Sequence, residues 1–390
     1  MNQLPIVVVG YNRQRSLSRL LNALLFAHYD GDNVPLIISL DHSGDAEIEQ
    51  IALQYEWPYG EKHVIVQPER LGLRKHILKC GDYALEYGAV MVLEDDLYVS
   101  PYYYRYTKQA IEAYKHEPHV AGISLYSHLW NVTASRPFQP ADDGYDAYFF
   151  QFAQSWGQCW TEEMWRSFKN WYELQAGGVM QGDDLPQSVV KWPESSWLKY
   201  FIKYIVETNK YYVYPRVSLT TNFGDIGQHA RIASTSYQVP LLYGHKEQFR
   251  FPQFDNANTK YDVFFERLEL GKALGIPDDD MSIDLYGEKG RQSNRRYWLT
   301  MEKAHYRVLA SYGCQLRPHE MNVLHHIPGE DIFLYDTSVI EEHRQTDQLN
   351  TRLVRSLYDI RAIRRTDIMK LAQYYLVSAM KRKWKKLFSS

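Results

Sequence analysis

Residues 90–101, Val-Met-Val-Leu-Glu-Asp-Asp-Leu-Tyr-Val-Ser-Pro, run from an apolar segment straight into three consecutive acids, Glu94, Asp95 and Asp96. An unbroken apolar run over Ala89–Leu93 predicts a strand covered on both faces, as in a parallel sheet between two helical layers. Three like charges at its end repel one another unless something positive sits among them. Carboxylate oxygens in that position suit Mg2+ or Mn2+, which bind through one or two carboxylates and take further ligands from substrate phosphates. Strand alternation would put Glu94 and Asp96 on one side and Asp95 on the other. A solvated turn ahead of a helix starting near Ser100-Pro101 is the plainer alternative.

The neighbouring segments favour the site. Ile6–Asn12, Pro35–Asp41 and His63–Gln67 are further short apolar runs, and helical patterns over Leu17–Ala27, Ala46–Tyr55 and Arg74–Tyr87 separate them. Ser16 is placed to cap the first helix. This alternation gives an α/β chain with a Rossmann-like, mostly parallel sheet flanked by helices, and in such sheets ligands bind outside the carboxyl ends of the strands. Those ends read Tyr11-Asn12-Arg13, Asp41-His42-Ser43, Gln67-Pro68-Glu69 and Glu94-Asp95-Asp96. Neither a Gly-x-Gly-x-x-Gly nor a Gly-Lys-Ser/Thr follows the first strand, which removes dinucleotide and P-loop readings.

Beyond Pro101 the pattern gives a helix over Tyr102–His116, strands over Val120–Tyr126, Tyr148–Phe152 and Tyr211–Leu219, and Trp-rich helices over Thr161–Leu174 and Ser195–Thr208. The chain then divides by pattern into 1–244, a mixed α/β accessory region over 245–345, and a helical, basic tail over 346–390. A net charge of −3 over 390 residues leaves no overall basic field for nucleic acid. Cys80, Cys159 and Cys314 are too few and too far apart for a disulfide framework or a zinc pattern. With no long apolar run and no leader pattern, the expected location is the cytoplasm.

Several stretches together resemble GT-A glycosyltransferases, both bacterial family-2-like polysaccharide enzymes and glycosyltransferase family 13, the β-1,2-N-acetylglucosaminyltransferase I family. Val90–Tyr104 resembles the metal-binding segment, Pro5–Arg13 the first strand and nucleotide-contact turn, and Ile37–Gly44 a second strand whose Asp faces the base. Ser155–Trp165 resembles the wall of the donor sugar and acceptor, with Trp156 and Trp160 as stacking candidates. Ser218–His229 resembles the loop that closes over the nucleotide. The likeness covers roughly residues 4–240.

It implies an inverting transferase that moves a sugar from a nucleotide-diphosphate donor, UDP-linked by expectation, to a saccharide or lipid-linked glycan acceptor in surface polysaccharide assembly, with Mn2+ or Mg2+ as cofactor. Asp96 is then the direct metal ligand and Asp95 a ribose or water-mediated contact beside Glu94. Tyr11, Arg13 and Asp41 match nucleoside contacts. Arg74 and His76 open a helix suited to phosphate or nucleoside, His76 standing in for a family His whose place falls near Cys80. His229 is a further ligand or a plain surface His.

The catalytic base is where the match departs. The family carries it in a Trp-Asp-Asp-Trp stretch, and here Trp192-Pro193-Glu194-Ser195-Ser196-Trp197 has serines in place of both acids. Glu194 is the nearest carboxylate, with Asp183, Asp184 and Asp225 behind it, and its alternative role is simple charge complementarity at a helix start. The missing acids keep a non-catalytic nucleotide- or carbohydrate-binding protein in view, and a sugar-nucleotide nucleotidyltransferase is a third reading. Met369–Phe388 combines aromatics with lysines, which suits a helix lying amphipathically on an anionic membrane surface or one packed on the body with a solvated basic end.

Overall fold

The computed structural model describes residues 3–175, 184–225, 237–292, 294–342 and 364–387. Its first half is β1 (Ile6–Gly10), α1 (Gln14–Leu25), β2 (Leu36–Leu40), α2 (Ala46–Gln54), β3 (Lys62–Val66), α3 (Leu73–Gly81), α4 (Tyr83–Tyr87), β4 (Ala89–Glu94), β5 (Leu97–Val99), α5 (Tyr103–Tyr114) and β6 (Val120–Ser124). A short ribbon, β7 (Trp130–Asn131) and β8 (Arg136–Pro137), follows. Then come β9 (Ala147–Phe150), β10 (Gln158–Thr161), α6 (Glu162–Leu174), α7 (Gln187–Val190), α8 (Trp197–Glu207), β11 (Tyr211–Pro215) and β12 (Thr220–Asn222).

A nine-stranded sheet carries the site, in the order β13-β9-β11-β6-β10-β4-β1-β2-β3, where β13 is Lys260–Tyr261. β3, β2, β1 and β4 are mutually parallel. β10 then runs antiparallel between β4 and β6, and β11 is parallel to β6. The sheet is mostly parallel, as expected. Every residue of β1 and β2 is buried, which is why these strands read as apolar runs without alternation. On α1, Leu17, Leu20, Leu21 and Leu24 form the face against the sheet, each worth about 1.5–3 kcal/mol when fully buried.

Three local expectations are corrected. α1 starts at Gln14 with Arg13 at its cap, and Ser16 instead donates a 2.8 Å hydrogen bond to Asp225. The helix expected over Arg74–Tyr87 breaks at Asp82 into α3 and α4; the Cα of Gly81 lies so close to the Trp165 ring that a Cβ would stand 2.2 Å from it. The strand expected over Tyr211–Leu219 stops at Pro215, since proline has no N–H for the ladder. Thr220–Asn222 resumes as β12, paired antiparallel with β5.

The later residues α9 (Leu270–Leu274), β14 (Met281–Asp284), β15 (Tyr297–Thr300), β16 (Tyr306–Tyr312), α10 (Glu320–Leu324) and β17 (Ile332–Ile340) build a mixed four-stranded sheet, β14-β15-β17-β16, over its own apolar cluster. Tyr261 Oη donates a 2.8 Å hydrogen bond to Glu320 Oε1 at the start of α10. Finally α11 (Arg365–Leu387) is one long helix. Its apolar residues do not share a face: Tyr374, Tyr375, Leu376 and Val377, four consecutive positions around one turn, are all exposed, so the expected amphipathic pattern is absent. Among the described residues no helix is long and apolar enough to cross a membrane.

Candidate functional site

The order β3-β2-β1-β4 makes β1 and β4 neighbours whose connections leave in opposite directions, the switch point at which open α/β sheets bind ligands. That adjacency brings Arg13, three residues past the end of β1, against the acids that end β4. Arg13 Nη1 donates to Asp96 Oδ2 at 2.9 Å, and Nη2 donates to Asp95 Oδ1 in a very short contact. The strand ends at Glu94, so the alternation expected to separate Asp95 from Asp96 stops one residue early, and both aspartates turn onto one guanidinium.

The electrostatics follow from this packing. Burial works against the Arg13 charge, but Asp95 and Asp96 outweigh it and hold its pKa above the ordinary arginine value. Asp95 is 2% exposed, and burial pushes its carboxyl up to about 6 against the pull of Arg13. Glu94 is raised well above the usual carboxylate range, first by burial and then by Asp96, with the Trp197 indole as hydrogen-bond donor. Glu94 Oε1 and Asp96 Oδ1 are shielded from solvent and have no partner. These two orphaned oxygens are what an ion bound through one or two carboxylates would use, so the donor set fits Mg2+ or Mn2+ with phosphate oxygens completing the shell. No cluster of three or more His, Cys, Asp or Glu with metal-holding geometry occurs among the described residues.

Asp41, at the end of β2, is buried and its carboxylate is fully engaged by backbone. Oδ1 accepts from the N–H groups of His42 and Leu71 at 2.9 and 2.8 Å, and Oδ2 from Gly72 at 2.9 Å. Gly72 has φ +75°, a conformation that glycine adopts without strain, and it caps α3. Asp41 therefore fastens the 68–72 loop to the strand end. Tyr11 is half-buried, with the Arg70 guanidinium 4.9 Å over its ring.

The α3 residues divide. Arg74 lies 5.1 Å over the ring of Tyr200 on α8. His76 is 2% exposed and bonds Ser39 Oγ at 2.7 Å through Nε2; burial lowers its pKa to about 4. The structure thus corrects its expected cationic role: at neutral pH it is an uncharged strut beneath the sheet. Trp160 is also corrected, since it is fully buried against Trp165, Trp197 and Phe201. Trp156 is half-buried between Tyr126 and Tyr237 and remains available as a wall.

Glu194 is exposed and held at both oxygens, Oε1 by Lys199 at 2.7 Å and Oε2 by the Tyr200 hydroxyl. These bonds lower its pKa below the usual carboxylate range. A general base works best with a pKa near the operating pH, so this geometry makes Glu194 an anchor for the start of α8 and a poor base. Asp225 is bound by Arg19 and Ser16, and Arg19 stacks 3.6 Å over Phe223. Phe223 N donates to Asp96 O at 3.0 Å, which ties the Ser218–Asp225 end of the closing segment to the acidic turn. His229 and Asp183 lie outside the described residues, and Asp184 is exposed.

Sequence reasoning missed the pairing of Arg13 with both aspartates and the antiparallel β10. The first could have been found: in a 3-2-1-4 strand order the ends of the first and fourth strands are adjacent, and Arg13 is the charge at the first. β10 gave no such signal, because Gln158–Thr161 is four residues beside a helical pattern.

Residues 6–169 match the family model described as Glycosyl transferase family 2. No curated protein matches the chain. Solved structures similar to part of it include the mannosyltransferase PcManGT from Pyrobaculum calidifontis in complex with GDP-Man and Mn2+, at 11% identity and TM-score 0.33, covering 55% of this chain and 56% of that one. S. aureus TarS 1-349 in complex with UDP-GlcNAc is 12% identical with TM-score 0.37, covering 60% and 61%. GalNAc-T7 with UDP, GalNAc and Mn2+ is 11% identical with TM-score 0.37, covering 55% and 42%. The match therefore spans less than two thirds of each of these chains.

Proposed function

We propose that this chain, whose residues 6–169 match the glycosyl transferase family 2 model, is a metal-dependent, inverting glycosyltransferase. It would use a nucleotide-diphosphate sugar, UDP-linked in the first instance, and a saccharide acceptor of a surface polysaccharide. The observation that carries the reading is the acidic turn at the switch point, where Asp96 Oδ1 and Glu94 Oε1 sit shielded and unpartnered beside a buried Asp95.

In this reading Asp96, with Asp95 or Glu94 behind it, holds the divalent ion, which when bound offsets charge on the departing diphosphate. The chain's own groups do the rest. Asp41 fixes the loop under the nucleoside, Arg13 and Arg74 supply positive charge toward phosphate, and Trp156, backed by the buried Tyr126, offers an aromatic face to a sugar ring. Inversion needs one carboxylate near the acceptor hydroxyl. Glu194 can serve there only if Lys199 and Tyr200 release it. That grip is the observation favouring a second reading, a nucleotide-sugar-binding protein without turnover.

Although α11 lacks an amphipathic face, its exposed aromatic residues followed by lysines suit peripheral attachment to an anionic membrane through charge. The deciding experiment is donor hydrolysis over a panel of UDP-, GDP- and TDP-sugars with and without Mn2+, reading released nucleotide. Release from one donor, abolished by chelator and lowered about 10²–10³-fold in Asp96→Ala, is the expected result. Metal-dependent nucleotide binding with no release, with or without added saccharide acceptors, would establish the second reading.

A further inference from the structure

Arg13 occupies the position where the charge of a divalent ion is needed. Its fork spans both aspartates of the turn, and one of the two oxygens of Asp96, Oδ2, is committed to it. The backbone of Arg13 is fixed, since its carbonyl accepts from Leu17 N at 3.0 Å at the start of α1, so only the side chain is free to move. Among the described residues Arg13 is the cation that pairs with the turn, and Arg19, the next guanidinium along α1, is engaged by Asp225.

We propose that Arg13 is a resident counter-cation that competes with the divalent ion for the acidic turn, so that the ion binds tightly only when a nucleotide diphosphate draws the guanidinium away. This rests on the reading of the turn as a metal site. Two arguments carry it. First, a guanidinium hydrogen-bonded to Asp96 Oδ2 and an ion on Asp96 Oδ1 are like charges within a few ångströms in a poorly hydrated pocket, where repulsion is strong. Second, a diphosphate presents paired anionic oxygens in the geometry the arginine fork already uses on Asp95 and Asp96. Exchanging carboxylate for phosphate leaves Arg13 satisfied and both aspartates free for the ion. Charge balance agrees. With Arg13 in place the three carboxylates and the guanidinium sum to −2 when ionised, so a divalent ion alone brings the turn to neutrality. Adding ion and diphosphate together restores an excess of negative charge for the arginine to meet.

The test is Mn2+ binding to the purified full-length chain, read from the electron paramagnetic resonance signal of free Mn2+, with and without UDP, after subtraction of the Mn–UDP complex measured without protein. Wild type, Arg13→Gln and Arg13→Lys are compared, with thermal melts to show that each is folded. Wild type alone should bind weakly and tighten about tenfold or more with UDP. Arg13→Gln alone should bind about tenfold tighter than wild type alone and lose most of the UDP dependence, with Arg13→Lys between them. Wild type that binds equally well without UDP, or substituted chains that bind no tighter than wild type while wild type still responds to UDP, overturns the competition and leaves the metal site standing. No Mn2+ binding by wild type with UDP, GDP or TDP overturns the metal site and this inference with it. If the Gln variant does not fold, the Lys variant decides: it keeps the charge but loses the two-pronged bridge, and binding no tighter than wild type refutes the proposal.

Discussion

Replacing Asp41 by asparagine separates two roles that a carboxylate at the end of β2 could have. As a nucleoside contact alone, Asp41 would matter only when ligand is bound. As the fastening of the 68–72 loop, it matters in the free protein. Its two oxygens accept three backbone N–H bonds of 2.8–2.9 Å. Asparagine keeps one acceptor oxygen and turns an NH2 group toward a backbone N–H, so at least one of these donors loses its partner. A hydrogen bond to a charged group is worth about 1.5–3 kcal/mol, and an orphaned buried donor costs about as much as its desolvation, 1–3 kcal/mol. Taking the loss as about 2–3 kcal/mol, and about 2 °C per kcal/mol for a domain of some 250 residues, the ligand-free melting temperature should fall by roughly 4–6 °C. Hydrogen exchange at Leu71 and Gly72 should rise in the same variant. Measured by melting without nucleotide and by exchange mass spectrometry, a change under about 1 °C with unaltered exchange at these two amides would refute the fastening role.

Three further outcomes follow from named contacts. Glu194→Gln should leave turnover within about threefold, because both carboxylate oxygens are held by Lys199 and Tyr200; a fall of about 10²–10⁴, the contribution of a general base, would restore Glu194 to that role. His128 is buried among Phe150, Phe152, Tyr214 and Phe265, and burial lowers its pKa to about 3. Its neutral form is favoured in the fold, so stability is lost as pH falls from about 6.5, where the unfolded chain begins to protonate, toward 3. At pH 5 the cost is about 1.5 pH units, roughly 2 kcal/mol. His128→Phe should therefore show a smaller drop in urea midpoint between pH 7 and pH 5 than wild type, and an equal drop would show that other groups govern the acid limb. Removing residues 364–390 should leave the melting temperature within about 1 °C, since none of the described α11 side chains is buried, and should abolish flotation with vesicles rich in anionic lipid. Retained flotation would place the membrane contact elsewhere.

What could be read in the sequence was whatever a period or a strand end encodes. Ile6–Gly10, Leu36–Leu40 and Ala89–Glu94 are legible because burial on both faces leaves no room for polar residues, and the acids closing the last of them are legible because charge at such an end demands a partner. What was not legible depends on which strands lie side by side. The pairing of Arg13 with Asp95 and Asp96 spans more than eighty residues and exists only because β1 lies next to β4. The burial of His76 and Trp160 depends on what packs across from them, Ser39 for one and Trp197 with Phe201 for the other. The same logic explains why a carboxylate in the right segment need not be a base: Lys199 and Tyr200, in the first turn of α8, already hold Glu194. The charge at the acidic turn is thus met in part from within the chain, by Arg13, before any ligand arrives.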